Sequence, residues 1–125
     1  MKSFIAATFL FALPLIAAAS SGGVRFDTQI TAQGKSITSP SVRVEFGHQA
    51  VIEIPNEVRV VVVAAASKTD ISPVTANFYY FKDGAWVFDR KMEMNANLSL
   101  TPSFELDLAD GVHRVVVMPR QASMQ

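Results

Sequence analysis

Residues 42–66, VRVEFGHQAVIEIPNEVRVVVVAAA, hold the densest run of β-branched residues in the chain. Val42, Val44 and Phe46 alternate with Arg43 and Glu45, so one pleat face is apolar and the other is charged. Gly47-His48-Gln49 breaks the pattern, Ala50 to Ile54 resumes it, and Pro55-Asn56-Glu57 breaks it again. From Val58 to Ala66 nearly every position is apolar. A continuous β-branched run fits an interior strand covered on both faces, whereas alternation fits a strand with one wet face. The segment from Val60 to Ala66 is therefore expected to be the central strand of a sheet.

The flanking sequence repeats these signals. Val24 to Ala32 alternates Val24, Phe26, Thr28 and Ile30 against Arg25, Asp27, Gln29 and Thr31, and Gln33-Gly34 then turns the chain back into Lys35 to Ser39. Pro40 cannot donate to a ladder, so it marks an edge or a bulge before the pattern continues through Phe46. Ser67 to Pro73 reads as a polar loop. Val74 to Lys82 is dense in aromatics, and Asp83-Gly84 supplies the positive backbone angles of a type I′ hairpin. On the return strand Trp86, Phe88, Arg90, Met92 and Met94 fall on one face and Val87, Asp89, Lys91 and Glu93 on the other. Leu98 to Thr101 reads as a brief extended piece and Ser103 to Leu108 as a strand. Ala109-Asp110-Gly111 reads as a turn, and Val112 to Met118 as the last strand, stopped by Pro119 before a polar tail.

No segment after residue 19 shows apolar residues at helical spacing over three turns. Short strands with turns every eight to twelve residues indicate a small barrel or, as the preferred reading, an antiparallel β-sandwich. The predicted fold is all-β: an Ig-like or similar sandwich of seven to nine short strands, forming a single domain over residues 20–125.

Half of the 125 residues are hydrophobic, which is enough for a core without covalent staples. Eleven basic and eleven acidic side chains give a formal net charge of zero, with no block of either sign, so the sequence offers no electrostatic handle for nucleic acid. The chain contains no cysteine, which excludes disulfides, thiolate metal sites and a cysteine nucleophile.

The opening residues, MKSFIAATFLFALPLIAAA, combine Lys2, an apolar run from Phe4 to Ile16 and small residues at Ala17 and Ala19. This is the three-part pattern of a secretory signal peptide, with residues 1–19 expected to be removed. The apolar run is short of the ~20 residues that a spanning helix needs, so no stable membrane span is expected after processing. Export of a cysteine-free chain points to a bacterial periplasm. Asn97-Leu98-Ser99 formally matches an N-glycosylation acceptor, a triplet common by chance.

Catalytic patterns are not found. His48 lies in a turn signal and His113 at the start of a strand, and they read as a turn residue and a solvent-facing strand residue. There is no G-x-S-x-G nucleophile elbow, and two histidines without cysteine are too few donors for a zinc or blue-copper site. Met92 and Met94 place two thioethers on one strand face and, joined by a histidine or Met118, would suit a copper(I) or small-molecule carrier. Trp86 and Phe88 are expected on that same face, which favours core packing. Acidic residues such as Glu57, Glu93, Glu105 and Asp107 mostly take wet positions. The aromatics Phe78, Tyr79, Tyr80, Phe81, Trp86 and Phe88 crowd one hairpin, and Tyr79, Phe81 and Val87 are the candidate partner-binding patch, unless another sheet or loop covers them.

Residues 30–54, ITAQGKSITSPSVRVEFGHQAVIEI, resemble the periplasmic β-rich segments attached to antirepressor membrane peptidases of the beta-lactam-sensor type and to related bacterial envelope proteins. The resemblance covers about a fifth of the chain and rests on Gly34, Lys35, Pro40, Gly47 and Ala50. These are turn-specifying residues, so it implies fold alone. The metal-binding helix of those peptidases has no counterpart in the sequence, and no catalytic residue carries over. The sequence thus predicts a non-enzymatic, exported module without cofactor that binds a periplasmic or envelope protein, with a copper(I) carrier as the alternative.

Overall fold

The computed structural model describes residues 22–123; the expected signal peptide, residues 1–19, lies outside them. Nine strands follow in order: β1 (Gly22–Ala32), β2 (Lys35–Thr38), β3 (Ser41–Glu45), β4 (Ala50–Ile54), β5 (Val58–Ala64), β6 (Ile71–Lys82), β7 (Ala85–Asn97), β8 (Phe104–Asp107) and β9 (His113–Ser123). They form two sheets in which every pairing is antiparallel. The first sheet runs β2-β1-β9-β8, with β3 also on β1, and the second runs β4-β5-β6-β7. Among the described residues there is no α-helix, and none of the structure is long and apolar enough to cross a membrane as a helix.

The alternation read in the sequence is what packs the two sheets together. Val24, Phe26 and Ile30 of β1 and Val115 and Val117 of β9 meet Val58, Val60, Val62 and Ala64 of β5 and Val74, Ala76 and Phe78 of β6 in one buried cluster. Each sheet therefore turns one pleat face inward, as a sandwich requires. β5 is an interior strand, as expected, but only its inner face is sealed. Arg59, Val61 and Val63 on the other face are half-buried, sheltered by neighbours within the sheet.

Pro40 sits where anticipated, at an edge. β2 pairs with Ile30–Ala32 and β3 with Gly23–Asp27 on the same side of β1, and the gap between them is closed by the Pro40 carbonyl. That oxygen accepts from the Thr28 amide at 2.9 Å and from its Oγ1 at 2.7 Å, which satisfies a buried threonine. The Asp83-Gly84 turn has the expected handedness, and Gln33-Gly34, read in the sequence only as a turn, shares it. Gln33 and Gly34 have φ of 53° and 79°, and Asp83 and Gly84 have 53° and 78°.

Four local expectations are corrected. β9 runs through Pro119 to Ser123, because β8 begins at Phe104 opposite Val117 and β9 has no strand partner on that side beyond it among the described residues, so the missing N–H interrupts no ladder. β6 begins at Ile71, since Ile71–Pro73 pair with Asn95–Asn97 of the long β7. Leu98–Leu100 form a 3-10 turn rather than an extended piece, capped by Asn97, whose Oδ1 accepts from the Ser99 amide at 3.1 Å and its hydroxyl at 2.7 Å. Finally, the β6–β7 register shifts between Phe78, opposite Arg90, and Tyr79, opposite Phe88, leaving Asp89 as the extra residue of a bulge. One extra residue reverses the facing of everything beyond it.

Candidate functional site

The bulge decides which side chains of the aromatic hairpin come together. Phe78 is buried and Tyr80 packs against the core, so Tyr79 and Phe81 point outward. Trp86 and Phe88 join them there: Tyr79 meets Phe88 edge-to-face with ring centroids 5.5 Å apart, and Phe81 meets Trp86 at 5.1 Å. Met92 and Met94, beyond the bulge, turn inward against the core. The sequence reading that put Trp86 and Phe88 on the methionine face is thus corrected. Of the candidate patch, Tyr79 and Phe81 share the outer face, whereas Val87 lies opposite Tyr80 on the inner side. Simple alternation counted from Asp83-Gly84 had no way to register Asp89 as the extra residue.

The outer face of the second sheet carries Val51 on β4, Arg59, Val61 and Val63 on β5, Tyr79 and Phe81 on β6, and Trp86 and Phe88 on β7. Val51 and Phe88 are the most open, each 54% exposed. Arg59 organises one corner. Its Nε donates to Glu53 at 2.8 Å and its guanidinium lies 4.6 Å from the Trp86 ring centroid. The outer face of the first sheet has the opposite character. There Asp27 accepts from Arg25 Nε at 2.9 Å, Arg120 Nε at 2.9 Å and Ser41 Oγ at 2.7 Å, and Arg114 pairs with Glu105. Burial would raise the Asp27 pKa, but these donors outweigh it and hold the carboxyl below its ordinary value of 3.8. The outer face of the first sheet is dominated by ion pairs; that of the second sets aromatic and valine side chains beside its own pairs, Arg59–Glu53 and Lys91–Glu93.

A second cluster was not foreseen. His113, read as solvent-facing, has a side chain only 10% exposed, with Nδ1 2.6 Å from Asp110 Oδ2 and Nε2 3.0 Å from Glu57 Oε1. Asp110 lies in the β8–β9 turn and Glu57 in the β4–β5 turn, so the ring ties the first sheet to the second. Burial alone would lower the imidazole pKa, but the bonds and charge of Glu57 and Asp110 outweigh it and raise it above 6.5. Burial would likewise raise Asp110, yet its bonds from His113 and from the Val112 and His113 amides hold it below 3.8. Carboxylates only accept, so both contacts are donated together only by the imidazolium. Both ring nitrogens face carboxylates of the chain itself, so the arrangement clamps the β8–β9 turn to the β4–β5 turn. Asp89 adds a parallel tie: its carboxylate, 2% exposed, accepts from Arg90 Nε at 2.9 Å and from the Ala109 amide of the same turn at 3.0 Å.

No group of three or more His, Asp or Glu side chains is placed to hold a metal among the described residues. Met118 extends from β9 beside Arg120 on the outer face of the first sheet, away from Met92 and Met94 on the inner face of the second, and His48 is exposed in the β3–β4 turn. The groups considered for a copper(I) carrier therefore do not converge.

Fold and faces together define an all-β, two-sheet antiparallel sandwich with one aromatic outer face. Comparisons of the chain with family models, with curated proteins and with solved structures give no match.

Proposed function

We propose that this chain is an exported, non-catalytic β-sandwich that binds a periplasmic or envelope protein on the outer face of its second sheet. The observation that carries the reading is the contrast between the two outer faces. On the first sheet Arg25, Arg120 and Asp27 and also Arg114 and Glu105 are paired within the chain, while Val51, Tyr79, Phe81 and Phe88 on the second are only partly sheltered. Aromatic side chains with an arginine among them are what protein interfaces concentrate in their buried core. A sugar-binding platform is less well supported: the rings pack edge-to-face at 68° and 75°, and Arg59 lies over Trp86, so no pair of ring faces lies flat for stacking. Export is supported by Lys2, the apolar run and the small residues at 17 and 19.

The test is affinity capture from cell-envelope extract with the wild-type chain, Phe88→Ser, Tyr79→Ser and a control on the first sheet, Arg43→Ser. A partner that is lost with Phe88→Ser and Tyr79→Ser but retained by Arg43→Ser supports the reading. Equal recovery by all four would sink it.

A further inference from the structure

Among the described residues β7 pairs with β6 alone, so its other side is an open sheet edge. Between the bulge at Asp89 and the capped turn at Leu98 this edge is regular, and it carries Lys91 and Glu93 on the outer face, with side chains 53% and 66% exposed. A lysine on an edge strand ordinarily discourages strand addition. Here a glutamate stands two residues on, on the same face, and the chain itself already pairs the two at 3.1 Å.

We infer that the β7 edge is a self-complementary surface through which two copies of this chain pair as antiparallel strands, joining their second sheets into one of eight strands. The register follows from geometry. Directly opposed residues on antiparallel strands share a face, so a two-fold axis between identical strands must pass through a residue. With Lys91 or Glu93 on the axis, each would oppose its own copy, like charge on like; with Met94 there, both would oppose neutral asparagines. Placing Arg90 on the axis opposes two arginines and runs the ladder into the bulge. Met92 on the axis sets Lys91 against the partner's Glu93 and Glu93 against the partner's Lys91, two opposite-charge pairs on one face. The ladder then spans Arg90 to Met94 in each copy and ends where the bulge begins. This arrangement leaves the aromatic face free and doubles it, so the dimer is independent of the binding role proposed above.

The experiment is sedimentation velocity on the protein as purified from its producing cells, over a concentration series at low and high salt, with far-UV circular dichroism as the check on folding. The expected result is a concentration-dependent dimer. Lys91→Glu alone and Glu93→Lys alone each turn two attractive pairs into two repulsive ones and are expected to weaken it about tenfold. The double exchange K91E/E93K is expected to restore it. High salt should narrow the difference between single variants and wild type. A wild-type chain that stays monomeric throughout overturns the inference, as does a dimer indifferent to the single exchanges or one that the double exchange fails to rescue.

Discussion

His113 is the residue whose environment departs furthest from its local sequence. Its imidazolium, between Glu57 and Asp110, links turns that are more than fifty positions apart in the chain. Because the folded pKa is raised, the stabilisation is fully present below the unfolded value of 6.5 and is lost as pH rises through the folded value. Asp110 works in the other direction. Its folded pKa is lowered, so its contribution is present above 3.8 and lost as pH falls through the folded value. The clamp is therefore strongest between those two limits. His113→Gln is expected to cost about 2 kcal/mol near pH 5 and distinctly less once pH has risen through the folded value, because the variant removes charged hydrogen bonds that the wild type has by then lost. Urea unfolding over a pH series from about 5 upward measures this; a loss that does not fall with rising pH would mean that the imidazolium is not the stabilising form.

At the scale of elements, β7 shows how one inserted residue changes what a strand presents. Before the bulge Trp86 and Phe88 face outward, after it Met92 and Met94 face the core, and the extra residue, Asp89, aims its carboxylate at the β8–β9 turn. That turn is thus held to the second sheet twice, by Asp89 and by His113. Asp89→Ala leaves the Ala109 amide and Arg90 without their acceptor and is expected to destabilise the fold by about 1–3 kcal/mol. Its local signature is faster amide exchange in residues 109–112 than in β5; uniform acceleration across the chain would contradict a local tie. The two halves of β1's outer edge, β2 and β3, show the same economy on the first sheet, where Pro40 serves both as a strand break and as the acceptor for Thr28.

For the whole molecule, stability rests on the single core shared by both sheets. Phe78 is fully buried on β6, between β5 and β7. Phe78→Ala is expected to cost about 3–5 kcal/mol from lost burial and the residual cavity. Against a total of about 5–15 kcal/mol this brings the chain close to unfolding, measured as a large fall in the thermal midpoint. Phe88→Ser, half-exposed on the outer face of the same hairpin, is expected to leave that midpoint nearly unchanged, within about 0.5 kcal/mol. Comparable losses for both would mean that Phe88 belongs to the core and that the outer face is not free to bind.

The sequence by itself determined the class of fold, the order of the strands and the turns at Gln33-Gly34 and Asp83-Gly84, because pleat alternation, β-branched runs and turn residues act within a few positions. It placed β5 inside a sheet and Pro40 at an edge for the same reason: both are consequences of what one strand can bury or donate. Tertiary structure alone decided the facing of Trp86, Phe88 and Val87, since the bulge at Asp89 is set by pairing with β6 and leaves no mark in local alternation. It also decided that β9 passes through Pro119, because β8 starts opposite Val117 and so leaves no ladder for the missing donor to interrupt. The Glu57–His113–Asp110 clamp belongs with these. Its side chains come from the β4–β5 turn, the β8–β9 turn and the start of β9, and the shifts of His113 and Asp110 arise only when the two sheets close over them, because burial and mutual charge are properties of that closure.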